Sequence, residues 1–287
     1  MASGGVEAAA AQVRRTSGGF AVRAAVVAAC LVLVAFLALP FVALLLRVSP
    51  ARLVRRLADP VVLDALRLSL VTSAAATLIV IALGLPLAYV LATRRFAGKR
   101  VVEVLVDLPM VLPPTVAGFA LLMAFGRMGL AGRTLSAFGV TLPFTTAGVV
   151  LAQVFMSVPF FVGPARAGIA GVDRRLLDAA STLRAAEAFT FFRVVLPLAS
   201  PSLVAGIAMS CARALGEFGA TITFAGNLPG TTQTMPLAVY VALQSDLDAA
   251  VVLSVLLLVM AFGLLLGLRS APSGWFWNRS RADDPNR

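Results

Sequence analysis

The chain has 287 residues, of which 60% are hydrophobic and only 13% charged, with a formal net charge of +11 and no histidine. A soluble domain of this composition would need several fully buried helices of membrane-spanning length, so that class is excluded and an all-α polytopic membrane protein is predicted. The lack of His removes the commonest metal ligand and proton shuttle, and Cys30 and Cys211 both lie in apolar runs, so neither a metal site nor a disulfide framework is indicated.

In chain order, residues 1–23 are rich in Ala, Gly and Ser and are expected to form a disordered cytoplasmic tail. The first apolar run, Ala24–Leu46, follows Arg14, Arg15 and Arg23. It is longer than a typical signal-peptide core and reads as an uncleaved span. Five further spans are predicted at Leu66–Ala92, Leu108–Phe125, Thr146–Ile169, Ser202–Ala225 and Ala249–Leu268, making six transmembrane helices. Gly84-Leu85-Pro86, Pro109, Pro113-Pro114, Pro159 and Pro164 interrupt them and predict kinks. Residues 269–287 form a second tail, with Trp275 and Trp277 suited to the membrane interface.

The basic residues set the orientation. Arg94, Arg95, Lys99, Arg100, Arg174, Arg175, Arg184, Arg193, Arg269, Arg279, Arg281 and Arg287 share the side of Arg14, Arg15 and Arg23, while Arg47, Arg52, Arg55, Arg56, Arg67, Arg127 and Arg133 fall opposite. This bias puts both termini in the cytoplasm. The net charge therefore serves topology and attraction to anionic lipid, and no nucleic-acid partner is expected. No Gly-rich phosphate loop ending in Gly-Lys-Ser/Thr occurs, so the chain is not expected to hydrolyse ATP.

The polar stretch Gly171–Ser200 stands out between two apolar runs. Asp173 can cap a helix whose apolar positions Leu176, Leu177, Ala180 and Leu183 follow helical spacing, with small residues Ala179, Ala180, Ala185 and Ala186 beside them. Pro197 and Pro201 are expected to break the chain before the next span. Such a helix suits either a cleft on another protein or the membrane surface.

Asp178-Ala179-Ala180, followed fourteen residues after Ala180 by Val194-x-Leu196-Pro197, resembles the cytoplasmic "EAA" signature of permease subunits of bacterial ABC importers. The resemblance implies a short coupling helix, within residues 173–197, that docks in a groove on an ATPase subunit. Two positions depart from the signature: Asp178 replaces Glu, and Arg184 replaces the expected Gly, which is expected to alter the turn after the coupling helix. The permease core is placed at residues 66–268, with the first span an addition and a type I ABC importer permease fold implied.

A second motif, Ala212-Arg213-Ala214-Leu215-Gly216-Glu217-Phe218-Gly219-Ala220-Thr221-Ile222-Thr223-Phe224 with Gly226-Asn227-Leu228-Pro229-Gly230, resembles molybdate permeases. Sulfate and thiosulfate permeases carry a similar Gly-Glu-Tyr-Gly pattern, and tungstate is a near-isostere of molybdate. If the fifth span is one helix, Arg213 and Glu217 share a face deep in the membrane, and Ser210 and Thr221 extend the stripe. The stripe, with Asn227, either lines an oxyanion pathway or pairs helices. Gly216 and Gly219 are expected to allow close helix packing.

The resemblance thus implies a permease subunit in a bacterial cytoplasmic (inner) membrane, paired with a second copy. Its other partners would be two cytoplasmic ABC ATPase subunits, which hold ATP and Mg, and an extracytoplasmic oxyanion-binding protein; no cofactor or metal is expected on this chain. A sulfate importer subunit is the nearest alternative. An ion-coupled secondary transporter is the rival of another class, although Glu217 is the only acidic residue deep in a predicted span and no convincing repeat is evident. A membrane enzyme has no paired carboxylates or nucleophile motif to use.

Overall fold

The computed structural model describes residues 4–49, 51, 53, 55 and 59–270. Among these, all regular structure is helical. The chain divides into two units, residues 1–50 and 51–287.

The first unit is helix α1, Gly4–Leu46. Within Val22–Leu46, 18 consecutive residues reach a mean hydropathy of 2.9, and beyond Arg23 the stretch is apolar around its whole circumference, the pattern of a helix solvated by hydrocarbon. The helix extends to Gly4 over the stretch expected as a tail. Of the second tail, expected at residues 269–287, Arg269 and Ser270 are helical and the rest lies outside the described residues.

The second unit runs α2 (Pro60–Thr93), α3 (Lys99–Val111), α4 (Pro114–Phe125), α5 (Gly132–Ala137), α6 (Thr146–Ala170) and α7 (Arg174–Thr182). It continues through α8 (Glu187–Thr190), a π turn at Phe191–Val195, α9 (Leu196–Leu215), α10 (Gly219–Ala225), α11 (Met235–Ser245) and α12 (Leu247–Ser270). Asp59 starts α2 by accepting from Val61 N–H at 3.0 Å, and Pro60 occupies the first turn, where its missing N–H costs nothing. Thr145 starts α6 by accepting from Gly148 N–H at 3.1 Å.

Five helices among the described residues are long and apolar enough to cross a membrane: Val22–Leu46, Pro60–Thr93, Thr146–Ala170, Glu187–Leu215 and Leu247–Gly267. The span expected at Leu108–Phe125 is instead divided between α3 and α4. Leu112 and Pro113 are extended, with ψ of 135° and 132°, because Pro113-Pro114 offers no N–H to continue α3. The 12 residues of α4 rise about 18 Å, short of a hydrocarbon core of about 30 Å.

The expected break at Pro197 and Pro201 does not occur, and helical structure runs from Glu187 to Leu215. Two local devices accommodate the prolines. The backbone widens at Phe191–Val195, where Leu196 N–H reaches Phe191 O, five residues back. The carbonyl of Pro197, which Pro201 cannot satisfy, instead accepts from the Ser200 hydroxyl at 2.8 Å. The helix also continues through Pro86, Pro159 and Pro164.

Helix α6 is central to the second unit. One side of it joins α2 and α9 in a cluster of Val80, Leu91, Phe161, Val162, Ala165, Ile169, Val195 and Leu203. Another side joins α4 and α10 through Ala117, Leu121, Ala152, Met156, Ala220 and Phe224. The α4–α10 contact is backbone-close: a Cβ on Gly118 would lie 2.7 Å from Ala220 O, and one on Gly219 would lie 2.7 Å from Pro114 Cβ. Gly219 therefore has the packing role expected of it. Gly216 does not, since a Cβ there would meet only Ala212 O, at 3.5 Å in its own helix.

Candidate functional site

Two sites emerge, one at the Arg94 end of α2 and one at the break between α9 and α10. At the first, Asp173 caps α7 as its position predicts, accepting from Arg175 N–H at 2.9 Å. No residue of α7 is buried. Asp178 and Ala179 are exposed and Ala180 is half-buried. The Asp178 carbonyl accepts from the Ser181 and Thr182 hydroxyls at 2.7 and 2.9 Å, which holds the last turn closed.

Arg184 ends α7 at φ 55°, in the left-handed region. Its N–H donates to Ser181 O at 2.9 Å, and Ala185 N–H donates to Ala180 O at 3.0 Å. This pair of bonds is the Schellman closure, whose left-handed position glycine occupies most easily. The expectation that Arg184 alters the turn is therefore corrected: Arg184 adopts the conformation that a glycine would.

The segment from α7 through the π turn shows apolar side chains outward. Leu183 is 82% exposed, Phe192 63% and Phe189 57%, with Leu176 also exposed. It is anchored by fewer contacts. Leu177 packs on the α2–α6–α9 cluster. Phe191 meets Tyr89 of α2 edge-to-face at 5.0 Å, and Arg94, which caps α2, pairs with Glu187 at 3.0 Å. Val194, Leu196 and Pro197 lie inward of this surface: Leu196 packs on the same cluster, and all three are half-buried. The two parts of the signature are thus separated, with Asp178, Ala179, Ala180 and Arg184 on the projecting helix and Val194, Leu196 and Pro197 where the helix re-enters the body.

At the second site the single helix expected across Ser202–Ala225 is broken. α9 ends at Leu215, Gly216 is exposed, and α10 begins at Gly219. Arg213 and Glu217 still meet, at 2.6 Å, with Glu217 fully buried and the Arg213 side chain 22% exposed. The other Glu217 oxygen accepts from Ala220 N–H at 2.7 Å. The carboxylate therefore joins two half-helices, holding the last turn of α9 through Arg213 and the first turn of α10 through a backbone N–H. Both charges also suit the helix ends beside them, cation at the C-terminus and anion at the N-terminus.

The break also corrects the continuous polar stripe. Ser210 lies on α9, whereas Thr221 lies beyond the break on α10 and Asn227 in the following loop. Ser210 Oγ, Thr221 Oγ1 and Asn227 Oδ1 are buried without a hydrogen-bond partner in the chain, as are both amide atoms of Gln153 on α6. Gly226 turns the chain after α10 at φ 73°, ψ −157°, a conformation open only to glycine, with Phe144 packed on it.

Several contributors had weak sequence signals. Gln153 was visible as an amide within an apolar run. Tyr89, Arg94, Glu187 and Phe191 had none, because their pairings join residues about a hundred positions apart. Among the described residues, no group of three or more His, Cys, Asp or Glu is placed to hold a metal ion.

Residues 81–268 match the family described as binding-protein-dependent transport system inner membrane component. The chain is 46% identical over 239 residues to the molybdenum transport system permease protein ModB of Mycobacterium tuberculosis, a match covering 82% of this chain and 89% of that one. With the protein of the same description from Escherichia coli strain K12, identity is 43% over 183 residues, 63% of this chain and 80% of that one. The fold is similar to that of a chain in a bacterial ABC transporter involved in the import of the acidic polysaccharide alginate. The TM-score is 0.72 and the identity 15%, covering 95% of this chain and 99% of that one.

Proposed function

Because this chain belongs to the family of binding-protein-dependent transport system inner membrane components, we propose that it is the permease subunit of an ATP-driven molybdate importer. The observation that carries the coupling half of this reading is the projecting α7, which has no buried residue, a closed C-terminus and an outward apolar surface beside it. A projecting helix with exposed apolar groups on it and on the segment that follows is what a partner's cleft requires.

Two cytoplasmic ATPase subunits hold ATP and Mg and grip the α7 segments of two permease copies. A pair of copies follows from symmetry, since one coupling helix per chain must serve two ATPases. An external oxyanion-binding protein delivers substrate at the opposite end, and both termini face the cytoplasm of a bacterial inner membrane. ATP binding draws the α7 helices together and opens the pathway outward; hydrolysis returns it inward.

The break between α9 and α10 belongs to that pathway. Glu217 is committed to holding the break, so its negative charge does not face the passing anion. Arg213 retains exposed surface and offers a positive field moderated by its own ion pair, which attracts a tetrahedral oxyanion without trapping it. Ser210, Thr221, Asn227 and Gln153 supply buried polar atoms free to bond water or substrate.

The test is uptake of labelled molybdate in cells carrying this chain with its ATPase and binding protein, with and without a large excess of sulfate. Uptake that needs the chain and resists sulfate supports the molybdate reading. Uptake abolished by sulfate moves the chain to the sulfate importers and leaves the coupling reading in place. Tungstate added as a third competitor is expected to suppress uptake, since its size and charge match molybdate.

A further inference from the structure

Helix α2 touches two distant parts of its unit. At its Arg94 end it holds the segment that follows α7 by two independent contacts, the Arg94–Glu187 ion pair at 3.0 Å and the Tyr89–Phe191 edge-to-face pair at 5.0 Å. Near its other end, Ser69 Oγ accepts from Met235 N–H at 2.7 Å in a buried bond that fixes the first turn of α11. Between them α2 is continuous helix, and Ser69 to Arg94 span about 38 Å at 1.5 Å per residue. Its middle is packed on α6, where a Cβ on Gly84 would lie 2.9 Å from the Phe161 ring.

We propose that α2 is a transmission rod: movement of the α7–α8 segment reaches α11 and the loop following the broken helix through Arg94 and Tyr89 at one end and Ser69 at the other. Arg94, Tyr89 and Ser69 are then positioning residues for transport, acting through α2 and not on the substrate. The inference rests on the reading of α7 as the docking element.

The geometry separates this role from simple adhesion. The Arg94 and Glu187 side chains are 57% and 75% exposed, and an ion pair that open to solvent adds little stability. Its value lies in where it attaches. Arg94 also caps α2, with its N–H on Val90 O, so the pair joins the last turn of α2 directly to the first residue of α8. Its carbonyl accepts from Lys99 Nζ at 3.3 Å, which ties the same point to the start of α3. The Tyr89–Phe191 ring pair adds an apolar contact one turn further along α2.

The experiment uses the purified full complex with its ATPase subunits, carrying Cys30→Ser and a reporter Gln244→Cys at an exposed position of α11. Labelling of the reporter by a polar maleimide is compared without nucleotide and with ATP plus vanadate. The rod predicts a several-fold nucleotide-dependent change in labelling rate in this parent. Glu187→Arg is expected to abolish most of the change while the ATPase subunits still co-purify, and the exchanged pair Arg94→Glu with Glu187→Arg is expected to restore it.

An unchanged response in Glu187→Arg, no recovery in the exchanged pair, or no nucleotide response in the parent would overturn the rod. Loss of ATPase co-purification in Glu187→Arg would also overturn it, by assigning Glu187 to docking. None of these readouts depends on which oxyanion is carried, so failure of the molybdate assignment is seen separately, in the uptake experiment.

Discussion

Glu217 is a buried carboxylate that serves two helix ends at once. One oxygen neutralises Arg213 and the other accepts from Ala220 N–H, so a single carboxylate secures both sides of a helix break. Removing it leaves a guanidinium without its partner and a helix start without its acceptor. For a fully buried pair such a loss costs about 3–5 kcal/mol, and the partial exposure of Arg213 places Glu217→Ala toward the low end. Thermal unfolding in detergent should show that loss, and adding Arg213→Leu should recover part of it. A Glu217→Ala protein as stable as wild type would contradict the joining role.

Arg184 is the converse case, a residue tolerated where another fits better. A left-handed conformation costs a non-glycine residue about 1–2 kcal/mol. Arg184→Gly should therefore tighten the end of α7, offset in part by the greater freedom that glycine gives the unfolded chain. The expected signal is slower hydrogen exchange at Ala185 N–H, which is bonded to Ala180 O. Unchanged or faster exchange there would mean that Arg184 has favourable contacts compensating its backbone.

At the scale of elements, α7 tests the docking reading. Ala180 is half-buried on a short helix with small neighbours, so Ala180→Trp adds bulk where a partner's cleft would close. The variant is expected to fold, because α7 contributes no buried residue, and to lose ATPase association together with transport. Intact association would argue against a tight cleft at this position.

Elements also show how far a sequence can be read. Apolar length revealed α1, α2, α6 and α12 despite the prolines inside the first three, because a membrane span needs little beyond length and hydropathy. Asp173 revealed the start of α7 because capping is a local interaction. The break at Pro113-Pro114 was present in the residues, yet the apolar run across it concealed that two half-length helices replace a span. The opposite error arose at Pro197 and Pro201, where a π turn and the Ser200 hydroxyl keep the helix continuous. α11, with 11 residues, is too short to stand out by length, and its start depends on Ser69, 166 positions away. In the candidate site, Arg213 and Glu217 were legible as a pair four residues apart. Their placement at a break was not, because it depends on α4 packing against α10 through Gly118 and Gly219.

For the whole molecule, α6 organises the second unit, holding α2 and α9 on one side and α4 and α10 on another. The α7–α8 segment leaves this body between α6 and α9 and returns to it through Phe191 and Leu196. A push on α7 therefore enters at the foot of the same helices that frame the α9–α10 break. That arrangement fits a machine driven from outside the membrane by a separate ATPase better than one driven by an ion gradient, which would need carboxylates free to bind the coupling ion. The buried Glu217 is occupied by Arg213 and Ala220.

The most direct measurement is molybdate entry into proteoliposomes containing this chain and its ATPase subunits, with loaded binding protein outside and ATP inside. The account predicts accumulation that requires enclosed ATP, requires the binding protein, and persists when proton and sodium gradients are collapsed. Accumulation without ATP that follows an imposed ion gradient would contradict it and make the chain a secondary transporter.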